Sequence, residues 1–262
     1  MSKINPYSIE ILEVAHDIID CLLESEPQNP GQIARKLGLT RSRVFRVLKS
    51  LEERGYVLSL SNGYILGYRF LQIYEKLKLD FDAYNFSKSV LLDLAMSTGD
   101  AAHLFVRTGY HAVCVASFLG DNRLQVEKKV GEHIPMNVAG APMVILAHLP
   151  KREQENIIKN LRMVDYTPHT ITDRGELRQH LKQVYAQGYS IDIEEFMIGG
   201  CAVSAPIFDQ VGSVTGAISV ETPSVRFNEE RKDEIIKQVV KSAQQITDIT
   251  AQLFLQISKV DR

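Results

Sequence analysis

Residues 30–55 read PGQIARKLGLTRSRVFRVLKSLEERG, and this stretch decides how the first quarter of the chain folds. Ile33, Ala34 and Leu37 give a short helix a narrow apolar face, and Gly38 lets the chain turn where a side chain would obstruct. Thr40 stands at an N-cap position, where its hydroxyl accepts a hydrogen bond from a free amide of the next helix. In that second helix Val44, Val47, Leu48 and Leu51 recur at three- and four-residue spacing, so they face inward. Arg41, Ser42, Arg43, Arg46 and Lys49 are left on the outward side. A cationic helix with an exposed N-terminal end suits major-groove reading; on charge alone, a solvated surface helix is the alternative.

The residues after this helix favour the groove. Val57 to Leu60 alternate toward Asn62-Gly63, a two-residue hairpin signal, and Tyr64-Ile65-Leu66 form the return strand. Upstream, Ile11, Leu12, Ala15, Ile18, Ile19, Leu22 and Leu23 give Ser8 to Leu23 a broad apolar helical face, with Cys21 in or near the core. Together these make a winged helix-turn-helix over residues 1–66. Arg41, Ser42 and Arg43 are expected to read bases, while Arg46, Lys49 and the wing residues Ser61, Asn62 and Tyr64 meet the DNA backbone.

The 262 residues suit two domains. A formal net charge of -2 excludes a uniformly basic coat, yet positive charge concentrates between Arg35 and Arg54. Three scattered cysteines, Cys21, Cys114 and Cys201, indicate neither a disulfide framework nor a zinc knuckle. With no signal segment and no apolar run long enough to span a bilayer, a cytoplasmic setting is expected.

Residues 67–80 carry Phe70, Leu71, Ile73, Tyr74, Leu77 and Leu79, too apolar for a solvated spacer, and read as a linker helix. It packs either on its own domain or on a second copy of the chain. From residue 81 an α+β domain is expected, with helices at its beginning, middle and end and a mixed, mainly antiparallel sheet of about six strands. Strands are read at Ala102–Thr108, Ala112–Phe118, Leu124–Val130, Tyr189–Glu194, Ala202–Phe208 and Val214–Glu221. Helices are read at Ala83–Ser97, with Phe86, Val90, Leu91 and Leu94, and at Val138–His148 and Arg152–Leu161. Another is capped by Thr172 and stopped by Gly188, and a last one is capped by Asn228.

Ile191, Ile193, Val203, Ala205, Ile218 and Val220 supply an apolar sheet face for the terminal helices. Asp192, Glu194, Ala202, Ser204, Ala217, Ser219 and Glu221 occupy the other face, either solvated or roofed by the middle helices as a small-molecule pocket. Gly140-Ala141-Pro142 would add free helix amides suited to an anionic group. Catalysis is not indicated. Cys201 and Cys114 lack a histidine at motif spacing, and the seven histidines lack HxxxH or HxH spacing for a metal. His103 and His133 read better as structural, and Asp192, Glu194 and Glu195 have no substrate-activating companion. No cofactor or metal is expected.

Three segments carry a resemblance: IARKLGLTRSRVFRVLKSLEERGY, GYILGYRFLQI, and TDRGELRQHLKQVYAQGYSIDIEEFMIGGCAVSAPIF followed by TGAISVETP. The chain resembles the IclR family of bacterial transcriptional regulators over nearly its whole length. The resemblance implies a GAF-like effector domain at 81–262 and homodimers, often pairs of dimers, on double-stranded operator DNA as repressors or activators. It also implies effector contacts at Gly140, Ala141, Asp192 and Ser219. Ala202 stands where the family commonly has cysteine, and Glu221 where a second serine is frequent. A carboxylate opposite Asp192 disfavours a small acid effector unless one acid is protonated, and favours one with hydroxyl or cationic groups or one larger than a two- or three-carbon acid. A cytoplasmic sensor or enzyme whose winged helix contacts protein is the alternative.

Overall fold

The computed structural model describes residues 9–24, 27–80 and 82–260, with side-chain surroundings for 9–24, 27–76 and 87–250. The expected helix start at Ser8, the loop residue Ser25, and the side chains of Leu77, Leu79 and Phe86 lie outside those residues. The chain divides into two compact units, residues 1–80 and 81–262.

The first unit runs α1 (Glu10–Glu24), α2 (Pro30–Leu37), α3 (Arg41–Glu53), β1 (Val57–Leu60), β2 (Gly63–Leu66) and α4 (Arg69–Asp80). Asn29, read only as loop, caps α2 through a reciprocal pair of bonds with Gln32. Ile18, Ile33, Val44, Leu48 and Val57 form the centre of the core, with Val14, Cys21 and Leu22 of α1 at its edge. The face of α1 is narrower than its sequence suggests: Ile11, Leu12 and Leu23 remain more than half exposed.

Leu60 pairs with Gly63, so the two turn residues are Ser61 and Asn62 rather than Asn62 and Gly63. Gly63 belongs to the strand at φ 151°, and a Cβ there would lie 2.6 Å from the carbonyl carbon of Gln28. That close approach exists because Gln28 and Tyr64 exchange backbone hydrogen bonds of 3.2 and 2.9 Å, adding a third segment beside the hairpin. The same register turns Tyr64 inward.

The second unit contains α5 (Asp82–Thr98), β3 (Ala101–Thr108), β4 (His111–Phe118), β5 (His133–Pro135), α6 (Gly140–His148), α7 (Lys151–Asn160), α8 (Arg174–Gln187), β6 (Ser190–Ile193), β7 (Gly200–Phe208), β8 (Val214–Pro223) and α9 (Glu229–Val260). The six strands lie in the order β5-β4-β3-β8-β7-β6, and every pairing is antiparallel. α5 and α9 cover one face, where Leu91, Leu94, Ile235, Val239 and Ile246 meet Val203, Ala205, Ile218 and Val220. Ile193 does not join them; on the edge strand it is 55% exposed. α6, apolar on all sides, lies between the other face and α8, with Met143, Ile145 and Leu146 packed among Phe105, Ala217, Leu177 and Leu181.

Three further expectations change. Residues 124–130 are not a strand; the third strand of that end is β5. The segment instead crosses the α6-covered face, and the Lys128 amide donates to His103 Nε2 at 3.0 Å, a bond that a strand ladder would have consumed. Asp173, not Thr172, caps α8, its Oδ1 taking the amides of Gly175 and Glu176 at 2.7 and 2.8 Å. Glu194 leaves the sheet at φ 59° and accepts the Gly199 amide at 2.9 Å, so it does not join the polar face. Asn228 caps α9 as expected, accepting the Arg231 amide at 2.8 Å. Among the described residues no helix is long and apolar enough to cross a membrane.

Candidate nucleic-acid interface and effector site

Thr40 Oγ1 accepts the Arg43 amide at 3.4 Å, fixing the start of α3. With Val44, Val47 and Leu48 buried, Arg41, Ser42, Phe45, Arg46 and Lys49 are exposed on the other side of the helix. Phe45 does not stand out in the sequence, yet it is 46% exposed, and Lys49 Nζ lies 5.8 Å from its ring centroid. Lys49 is also tied to Glu52 at 2.6 Å, which raises the ammonium's pKa. Arg43 stands at the edge of this face, its side chain 29% exposed. It bonds Glu10 of α1 at 2.8 Å, because its position on the helix turns it toward α1. At the wing tip Ser61 and Asn62 are exposed, as a backbone contact needs. Tyr64 is 5% exposed, with its ring in the core, so it presents no free ring at the wing tip, and its hydroxyl meets Lys49 instead.

In the second unit, strand register gathers the expected polar residues. Ser190, Ser204, Ser219 and His103 are successive cross-strand partners, and Asp192, Ala202 and Glu221 form the adjacent row. All seven are buried. Ser204 donates to Ser219 at 3.0 Å. Gly140 is pressed onto this row, since a Cβ there would lie 2.5 Å from Ser204 Oγ, and Ala141 follows it into the buried first turn of α6. Ala202 contributes only a methyl.

Two charged neighbours, Lys128 and Glu195, extend the cluster. Lys128 is 3% exposed; its Nζ lies 3.8 Å from Glu221 Oε2 and 4.0 Å from the Phe196 ring centroid. Glu195, also buried, receives the Ala139 N–H on its carboxyl, which puts a protein acid at the helix start expected to hold an anionic ligand. The Glu195 amide donates to Asp192 Oδ1 at 2.8 Å. Because His103 Nε2 accepts from Lys128, Nδ1 carries the ring proton. Burial, reinforced by the Lys128 charge, lowers His103 to about 3, so it stays neutral.

Burial raises all three acids. Asp192 reaches about 6, Glu221 about 7 and Glu195 about 8; Asp192 adds repulsion to both glutamates, and Lys128 partly offsets the rise at Asp192 and Glu221. Of the two neighbours only Glu195 stands out in the sequence, since Lys128 reads there as part of a strand. Burial pushes Cys114 up to about 12 and Cys201 up to about 11, which leaves both as thiols rather than nucleophilic thiolates. Among the described residues no group of three His, Cys, Asp or Glu side chains is placed to hold a metal.

Comparison with known proteins gives a consistent result. Residues 12–60 match the IclR helix-turn-helix domain, and residues 80–248 match the bacterial transcriptional regulator IclR C-terminal domain. The chain is 26% identical over 231 residues to the HTH-type transcriptional regulator KipR of Bacillus subtilis, covering 88% of this chain and 92% of that one. It is 27% identical over 203 residues to the HTH-type transcriptional repressor AllR of Escherichia coli K12, covering 77% and 75%. The crystal structure of Thermotoga maritima IclR superposes with a TM-score of 0.78 at 25% identity, covering 93% of this chain and 99% of that one. An IclR homologue from Microbacterium hydrocarbonoxydans complexed with 4-hydroxybenzoate shares the fold, with a TM-score of 0.76 at 16% identity over 91% and 99%. With both halves matched in order, the chain belongs to the IclR family of bacterial transcriptional regulators.

Proposed function

We infer that this regulator binds operator DNA as a homodimer through the exposed side of α3, and that a small molecule held by the buried polar cluster of the second unit controls that binding. The observation that carries the reading is the division of α3 between a packed apolar side and an exposed side bearing Arg41, Ser42, Phe45, Arg46 and Lys49. Arg41 and Ser42 read base edges; Arg46, Lys49 and the wing tip at Ser61 and Asn62 hold phosphates. Arg43 braces α3 against α1 through Glu10. Ile11, Leu12, Leu71 and Tyr74, all exposed in the first unit, supply apolar surface for the second copy.

In the second unit Asp192, Ser204, Ser219 and Glu221, with Gly140 and Ala141 above them, form the effector site. The helix at residues 69–80 joins the reading unit (residues 1–66) to the effector unit (residues 81–262) and transmits the change in DNA affinity. Pairs of dimers are a further assembly open to the protein.

The test is a gel shift with the DNA upstream of the gene, repeated over 50–200 mM potassium chloride. Saturable binding whose affinity falls with salt is expected. Arg41→Ala should weaken it by about 1–3 kcal/mol, the worth of a specific base contact. If neither that DNA nor duplexes selected from a random library bind, the reading fails.

A further inference from the structure

Lys128 and Glu195 bring opposite needs to one buried cluster. Lys128 makes one ion pair among the described residues, to Glu221 at 3.8 Å, which is too long for a hydrogen bond. Near it the Nδ1 proton of His103, a residue wholly buried, has no acceptor among the described residues. Glu195 Oε2, on a residue 8% exposed, has no hydrogen-bond partner among the described residues, and Asp192 adjoins it through the Glu195 amide. Unmatched buried donors and acceptors each cost free energy, and a ligand that offers an acceptor to the first pair and a donor to the second answers both. Three buried carboxyls share the cluster with one ammonium, which acts on Asp192 and Glu221, so a second anion would meet an excess of negative charge, whereas a protonated nitrogen would let the acids ionise.

The geometry points to a compact zwitterion, an amino acid or a close derivative, as the effector, with its carboxylate on Lys128 and His103 and its protonated nitrogen on Glu195 and Asp192. This deepens the effector-site reading above and rests on it. It also modifies the expectation drawn from Asp192 and Glu221 alone, because Lys128 supplies a partner for one carboxylate.

The test uses the full chain and a panel of α-amino acids, β-alanine and γ-aminobutyrate, each beside its nitrogen-free acid and its decarboxylated amine. Binding is read by thermal shift and titration calorimetry. At least one amino acid should bind, with its acid and amine counterparts weaker by roughly 30-fold or more, the loss expected when one side of a buried charged contact is removed. Lys128→Met and Glu195→Gln should each weaken that amino acid to a similar extent, their ligand-free melting reporting separately on folding. A nitrogen-free acid that binds the unaltered protein as tightly as its amino acid, with binding lost in Lys128→Met, overturns the zwitterion and leaves the site standing. Failure of the whole panel to bind also overturns it. Binding indifferent to Lys128→Met, Glu195→Gln and Asp192→Asn overturns the effector-site reading itself.

Discussion

Glu195→Gln should make the ligand-free protein more stable at neutral pH. In the folded chain burial and the nearby Asp192 raise Glu195 from 4.5 to about 8, so folding carries a proton that the unfolded chain has released above pH 4.5. With more protons bound to the folded state, stability falls as pH rises from about 4.5 to 8. At pH 7 the gap between 4.5 and 7 corresponds to about 3 kcal/mol; at pH 5 it is about 1 kcal/mol. Glutamine keeps the shape and still accepts the Ala139 N–H, yet it has no proton to hold. For a unit of this size the melting midpoint should rise by roughly 6–12 °C at pH 7 and by about 2–4 °C at pH 5. Differential scanning calorimetry of the full chain at matched ionic strength resolves the two values. An increase equal at both pH values would mean that folding takes up no proton at Glu195, and a loss at pH 7 would mean that Glu195 is ionised and well paired; either result is contrary to the proton uptake described here.

Replacing Arg46 or Lys49 with alanine should lower operator affinity and reduce the slope of log K against log salt by about 0.9 for each phosphate no longer neutralised, with melting unchanged. If α3 enters the groove as proposed, Phe45, 46% exposed, would offer an apolar surface to a thymine methyl. Replacing that thymine with deoxyuridine in a selected operator should therefore cost the unaltered protein about 4-fold, the worth of roughly 0.8 kcal/mol for one buried methyl, and cost Phe45→Ala nothing. Tyr64→Ala should destabilise the first unit by about 3–5 kcal/mol in urea unfolding, as for other buried aromatics, while Tyr64→Phe keeps operator binding. Loss of DNA affinity in Tyr64→Phe without loss of stability would restore Tyr64 as a wing contact.

For α3 and the central strands of the large sheet, periodicity was enough. Val44, Val47 and Leu48 announced the packed side of α3, and alternation in Val203, Ala205, Ile218 and Val220 announced the helix-covered side of the sheet. The buried polar face was legible because Asp192, Ser204, Ser219 and Glu221 alternate out of phase with those residues, and strand register aligned them. Long-range partners were not legible. Tyr64 reads as a surface residue next to a turn until its bonds to Gln28 and the Leu60–Gly63 pairing set its direction. Lys128 looks like one charge in an alternating run; only the backbone bond to His103, 25 positions earlier, shows why it turns inward. Arg43 fits the cationic pattern of α3 in sequence, but Glu10 lies within its reach only once α1 packs.

The centre of the large sheet joins β3 to β8, elements more than a hundred residues apart along the chain. During synthesis the β3–β4 hairpin must therefore wait, with an open hydrogen-bonding edge, until β8 has left the ribosome. Such high contact order slows folding and leaves the nascent domain exposed to edge-to-edge association. Ser219 and Glu221 ride on that late-arriving strand, so the floor that would receive a metabolite is among the last parts of the domain to be laid. Ligand present during synthesis would then favour recovery of folded protein as well as control of the finished regulator.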